Sequence, residues 1–193
     1  MIYKTIAADP PWMETGGGGR GTGNHYKTIR SKSDILRVMV TASCWKIADS
    51  AHLWLWATTT HLRDALWLMD ALGFEYKTMA IWAKLSRQGA ILAGMGQYLR
   101  HSFEPILFGV RGPDARRLSP SGHGYVDLVE SVERASRGRH SEKPAAMYER
   151  IEQVSLGAPR LEMFARAPRS GWDVWGNEIA DPDDHGEPAR PET

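Results

Sequence analysis

The chain has 193 residues and a mass of 21.6 kDa, enough for one domain with tails. Hydrophobic residues are 42% and charged residues 24%, which excludes wholesale disorder, and no apolar run is long enough to span a bilayer. The net charge of +1 is unevenly spread: residues 180–193 carry −4 and the remainder +5, which permits a polyanionic partner without requiring one.

The predicted elements alternate. Ile2–Ala8 is a short strand. Ser33–Ala48 fits a helix with Ile35, Met39 and Ala42 on one face and Ser33 as N-cap. His52–Thr58 is a buried strand. Leu62, Ala65, Leu66, Met69 and Leu72 mark a second helix, stopped by Gly73. Tyr76–Trp82 and Phe103–Val110 are strands. Pro144 opens a third helix carrying Met147, Tyr148, Ile151 and Val154. Leu161–Ala165 and Trp172–Trp175 are the last two strands. Gly16–Gly23 and residues 111–139 are expected to be loops, and 180–193, rich in Pro, Asp and Glu, a disordered tail. This alternation predicts an α/β fold with a mostly parallel sheet and helices on both faces, and ligands of such sheets sit at the carboxyl ends of strands.

The first such end is Asp9-Pro10-Pro11-Trp12. Two prolines make a stiff segment that lacks N–H donors at positions 10 and 11. It offers acceptors, the Asp9 carboxylate and the Pro10 carbonyl, beside a flat aromatic. That suits an amino group on a planar ring stacked on Trp12. Acceptors on its two hydrogens localise the lone pair of an otherwise unreactive exocyclic amine, stabilising charge that develops only in the transition state. The plain alternative is a Pro-Pro turn closing a strand.

Asp9-Pro10-Pro11-Trp12 resembles the DPPW signature of the MT-A70 family of adenine-N6 methyltransferases. Three further blocks resemble that family in order and spacing over residues 2–179: His101-Ser102-Phe103-Glu104 with Leu107–Val110, Ser141-Glu142-Lys143-Pro144, and Leu161–Arg166 with Gly171–Glu178. The resemblance implies a circularly permuted Rossmann-like methyltransferase fold in one domain, residues 1–179, with target-recognition loops near 13–30 and 111–139. It implies S-adenosylmethionine as cofactor and transfer of its methyl group to the N6 amine of adenine. Asp9, Pro10, Pro11 and Trp12 are then the catalytic set. Asp9, Lys143, Arg166, Asn177 and Glu178 are expected to bind the cofactor: Lys143 its methionine carboxylate, Glu178 its ribose hydroxyls, Asp9 its amino group. Trp12, His25, Tyr26, Arg100, His101 and Glu104 are expected to face the substrate. For Glu162, inside a strand, a structural role as buried partner of Arg166 weighs nearly as much as a functional one.

Arginines in the two loops (Arg20, Arg30, Arg111, Arg116, Arg117, Arg134, Arg137, Arg139) read as phosphate contacts or as a solvated cluster with equal weight. The expected partner is nucleic acid, DNA ahead of RNA, with a homodimer as a candidate assembly and no membrane. A non-catalytic nucleic-acid-binding subunit and methylation of cytosine N4 are the competing functions. Gly16-x-Gly18-x-x-Gly21 formally matches a dinucleotide fingerprint but lacks the following helix and the spaced acid, and reads instead as a lid over the bound base. The histidines show no metal-ligand spacing. Cys44, the sole cysteine, excludes an intramolecular disulfide and a cysteine-based zinc site. With no signal-peptide pattern at Met1–Ile6, a reduced, cytoplasmic setting is expected.

Overall fold

A computed structural model describes residues 1–13, 29, 31–94, 98–120, 130–136, 143–177 and 179. The strands are β1 (Tyr3–Ala8), β2 (Ile47–Trp56), β3 (Glu75–Leu85), β4 (Phe103–Arg111), β5 (Val132–Ser136), β6 (Arg160–Met163) and β7 (Asp173–Trp175). The helices are α1 (Lys32–Thr41), α2 (Leu62–Ala71) and α3 (Ala145–Val154). The seven strands form one sheet in the order β5-β3-β4-β2-β1-β6-β7. Only β4 runs against its neighbours, β2 and β3; the other pairings are parallel. The mixed, mostly parallel sheet is the predicted α/β architecture.

Side-chain alternation along the central strands builds two cores. Ile6 and Ala8 of β1, Leu53 and Leu55 of β2 and Leu107 of β4 pack against Ile35 and Met39 of α1 and Ala65, Leu68 and Met69 of α2. On the opposite face Ala7, Trp54, Trp56 and Ile106 meet Met147, Tyr148 and Ile151 of α3. Both faces of β1 and β2 are therefore covered, which is why Ile6–Ala8 and Leu53–Trp56 are apolar without alternation. No helix among the described residues is long and apolar enough to cross a membrane.

The first helix departs from expectation. Its N-cap is Ser31, not Ser33: the Ser31 hydroxyl accepts the Asp34 N–H at 3.1 Å. Asp34 in the first turn adds the charge that a helix N-terminus favours. The helix also ends seven residues earlier than predicted, with Ala42 already extended, because β2 starts at Ile47 rather than His52. Residues 111–139 are not one loop. Ala115–Leu118 forms a 3₁₀ turn and Val132–Ser136 is the edge strand β5, paired to β3. With one neighbour and little burial, β5 carries no apolar run to reveal it. The expected lid at 16–23 and the tail at 180–193 lie outside the described residues.

Candidate active site

Because six strands point one way, their carboxyl ends share one edge of the sheet. Asp9 follows β1 there, Phe164 follows β6, and Gly176 and Asn177 follow β7. Antiparallel β4 begins at the same edge, bringing in Glu104, and Lys143 precedes α3. The chain thus gathers charges far apart in sequence. Lys143 Nζ donates to Asp9 Oδ2 at 2.7 Å and lies 3.3 Å from Glu104 Oε2. The other Glu104 oxygen, Oε1, accepts Lys84 Nζ at 2.5 Å. The order Asp9–Lys143–Glu104–Lys84 alternates sign and sums to zero. Lys143 is 10% exposed, Asp9 19% and Glu104 20%, so screening by water is weak. Lys143 also stands 5.1 Å from the centroid of Trp56, and Lys84 stands 5.3 Å from that of Trp82.

The protonation states follow. Burial alone would depress the Lys143 ammonium, but Asp9 and Glu104 outweigh it and its pKa lies above the ordinary lysine value. Burial alone would raise Glu104, but Lys143 and Lys84 outweigh it and hold the carboxyl below the usual range. Lys143 is therefore held as an ammonium and Glu104 as a carboxylate at neutral pH.

The corner itself is tight. The Trp12 N–H donates to the Pro10 carbonyl at 2.8 Å, and the Pro11 carbonyl takes the Ile29 N–H at 3.2 Å. The Pro10 carbonyl retains one lone pair. Trp12 is not an open platform. It is 6% exposed, its indole N–H donates to the Trp56 carbonyl at 2.9 Å, and His61 stacks on it with centroids 5.6 Å apart. Little of the ring is left free for the expected stacking of a base. The indole packs into the α1–α2 core while the Asp9 carboxylate faces Lys143 on the other side of the chain. A cleft of about 200 Å³, lined by Trp12, Met13, Ile29, Lys32, His61 and Asp64, adjoins the corner.

At the β6–β7 end Phe164 adopts φ 63°, an unusual conformation for a non-glycine residue and one that clusters at functional sites. Ala165 N–H donates to the Trp175 carbonyl at 2.9 Å, which draws the two strand ends together. A Cβ on Gly176 would lie 2.1 Å from the Ala165 carbonyl oxygen, so only glycine fits. The segment from Phe164 to Trp172 joins these parallel strands without a helix. Glu162 accepts the Tyr148 hydroxyl at 2.6 Å and Arg169 Nε at 3.0 Å. Its cationic partner is therefore Arg169, three residues beyond the expected Arg166, because the loop folds back over the α3 face. The Arg169 guanidinium lies 3.4 Å from the Tyr148 ring centroid.

Among the other expected residues, Arg166 is half-buried and Asn177 exposed. The Arg100 guanidinium is tied to the carbonyls of Ala93 and Gly94, and the His101 carbonyl accepts the Gly94 N–H. Glu104 is the expected substrate contact that the fold brings to Lys143 and Asp9. His25, Tyr26 and Glu178 lie outside the described residues. Sequence reasoning missed Lys84, Trp56 and His61. The available signal was a charge or ring at a strand end, which becomes informative only once β2, β3 and β4 are known to be neighbours.

The donor set suits a zwitterionic, ribose-bearing ligand: a carboxylate at Asp9, an ammonium at Lys143 and an amide at Asn177. The buried Trp56 Nε1 and Thr59 Oγ1, at the carboxyl end of β2, have no hydrogen-bond partner among the described residues. Such atoms are expected where a polar ligand completes the site.

Comparison with known proteins adds independent weight. The MT-A70 family profile matches residues 3–178. The Type II methyltransferase M.MunI of a Mycoplasma species is 29% identical over 93% of this chain and 78% of its own length. A putative N(6)-adenosine-methyltransferase MT-A70-like protein of Medicago truncatula is 28% identical, with 92% of this chain matched to 26% of that protein. The human N(6)-adenosine-methyltransferase catalytic subunit METTL3 is 26% identical, with 92% matched to 28%. The chain thus spans most of M.MunI but about a quarter of the plant and human proteins.

Proposed function

Since the chain belongs to the MT-A70 family of S-adenosylmethionine-dependent adenine-N6 methyltransferases, we propose that it methylates the N6 amine of adenine in DNA. The observation that carries this reading is the Asp9 carboxylate at the end of β1, held by Lys143 within 2.7 Å in a weakly solvated cluster. The match covers 78% of the Type II methyltransferase but 28% of the human N(6)-adenosine-methyltransferase subunit, and this closeness in overall size to the former is the reason for preferring DNA to RNA.

S-adenosylmethionine supplies an electrophilic methyl group on a sulfonium. Lys143 has three donors, of which two serve Asp9 and Glu104, and the third would hold the methionine carboxylate. Asp9, Arg166, Asn177 and Glu178 complete the cofactor set. Asp9 uses its second oxygen for a hydrogen of the adenine amine, and the Pro10 carbonyl uses its remaining lone pair for the other. The amine lone pair is thereby freed from the ring for attack. The nitrogen becomes acidic once alkylated, and its proton passes to Asp9 or water. Glu104, fixed between two lysines, faces the substrate. Trp12 supports the corner from behind through its bond to the Trp56 carbonyl.

The test supplies methyl-labelled cofactor to pools of DNA and RNA, single- and double-stranded, followed by digestion to nucleosides. Label in N6-methyladenine from DNA is the expected result. Label in RNA adenine would move the substrate to RNA, and label in cytosine would overturn the adenine assignment.

A further inference from the structure

The hairpin between β3 and β4 leaves the sheet at the edge that holds Asp9. Its base is firmly tied. Lys84 N–H donates to the Ser102 carbonyl at 2.9 Å, Leu92 N–H to the Lys84 carbonyl at 2.8 Å and Gly94 N–H to the His101 carbonyl at 2.7 Å. The Arg100 guanidinium clasps the carbonyls of Ala93 and Gly94 at 3.1 and 3.2 Å. Beyond this stem Tyr98 is 96% exposed and Leu99 80% exposed. An adjacent tyrosine and leucine held in water by a hydrogen-bonded stem indicate a surface that meets a partner.

Composition says which kind. From Ser86 to Ser102 the sequence contains Arg87 and Arg100 and no aspartate or glutamate, in a chain with 23 acidic residues. Positive charge complements phosphate, and a flat exposed ring complements a base. We propose that the Tyr98–Leu99 tip stacks on the nucleobase next to the target adenine, an inference that rests on the reading of the chain as a nucleic-acid methyltransferase. The stem supplies the register. Lys84 at one root and Glu104 just past the other share an ion pair, and Glu104 continues through Lys143 to Asp9. Tip and charge cluster are parts of one connected frame. A base drawn out of its stack leaves a neighbour with one face bare. The Tyr98 ring covers that face, and Leu99 packs beside it. Stacking of this kind discriminates little between bases, so the tip adds affinity rather than sequence choice.

The test compares wild type with Tyr98→Ala, Leu99→Ala and Tyr98→Trp on random-sequence DNA and RNA pools. It measures methyl transfer, fluorescence anisotropy of the pools and calorimetric binding of S-adenosylhomocysteine. Tyr98→Ala is expected to raise KM and Kd for nucleic acid about ten-fold or more. Its kcat at saturation and its S-adenosylhomocysteine affinity stay at wild-type values, and Tyr98→Trp restores the loss. Adenine methylation by wild type together with unchanged KM and Kd in Tyr98→Ala overturns the tip alone. So does a Tyr98→Trp variant as impaired as Tyr98→Ala. A change in sedimentation of the tip variants with unchanged KM reassigns the tip to self-association and likewise overturns it. Nucleic-acid binding that depends on Tyr98 without transfer to adenine overturns the proposed reaction and leaves the tip standing. A wild type that binds none of the pools overturns both.

Discussion

A carboxylate serves an amine as acceptor only while it is correctly aimed, and the aim of Asp9 depends on Lys143. The 2.7 Å contact fixes one oxygen and leaves the other for substrate. Asp9→Asn is expected to cut kcat by about a hundred-fold or more, the scale of losing one preorganised group. S-adenosylhomocysteine affinity should change by far less, since size and most contacts survive, and labelled transfer beside calorimetry measures both. Lys84 acts one step further away. Lys84→Met removes one of two cations from Glu104, so the Glu104 carboxyl rises toward its ordinary value. The acidic limb of the kcat/KM profile should then move to higher pH, and Lys84→Arg should return it. An unshifted limb with a reduced melting temperature would make Lys84 a structural residue only.

At the scale of elements, two devices hold the site edge in shape. The first is the pinch between β6 and β7. Gly176→Ala forces a methyl onto the Ala165 carbonyl oxygen, 2.1 Å from the ideal Cβ. Its cost should be about 1–3 kcal/mol, the range for overpacking, and thermal melting should show a drop of several degrees. The second ties β2 to the segments after β4 and α3. Buried His52 sits between the Ser155 hydroxyl and the Ala115 carbonyl, each at 2.8 Å, and Ser155 also accepts the Trp54 indole N–H. Burial lowers the His52 pKa below the ordinary 6.5. The unfolded chain therefore takes up the proton first as pH falls. The stabilisation is full above about pH 6.5 and fades below it, toward the folded-state pKa. Urea midpoints at pH 8 and pH 5.5 should differ more for wild type than for His52→Gln.

Periodicity revealed α2 and α3 because each buries one clear face, including Met69 in α2 and Met147 and Ile151 in α3. It misplaced the end of α1 because residues 42–46 continue its apolar composition and pack on the same core from a turn instead of a helix. It gave no sign of β5, an edge strand whose Val132 and Arg134 pair with Ile81 and Ala83 of β3.

At the scale of the molecule, the sequence by itself determined the α/β class, the family and the stiff corner at Asp9-Pro10-Pro11-Trp12. These depend on local order: apolar spacing, prolines that constrain their own backbone, and motifs in a set succession. Only the tertiary structure decided what each corner residue faces. A side chain's surroundings depend on which strands lie beside it, and β1 has β2 and β6 as neighbours although β6 is more than a hundred residues away. That pairing, and the reversal of β4, set Lys143 against Asp9, put Lys84 on Glu104 and gave Glu162 to Arg169. They also turned Trp12 inward onto His61. Charge neutralisation and burial are sums over neighbours in space, and a linear chain does not contain those neighbours until the sheet is assembled.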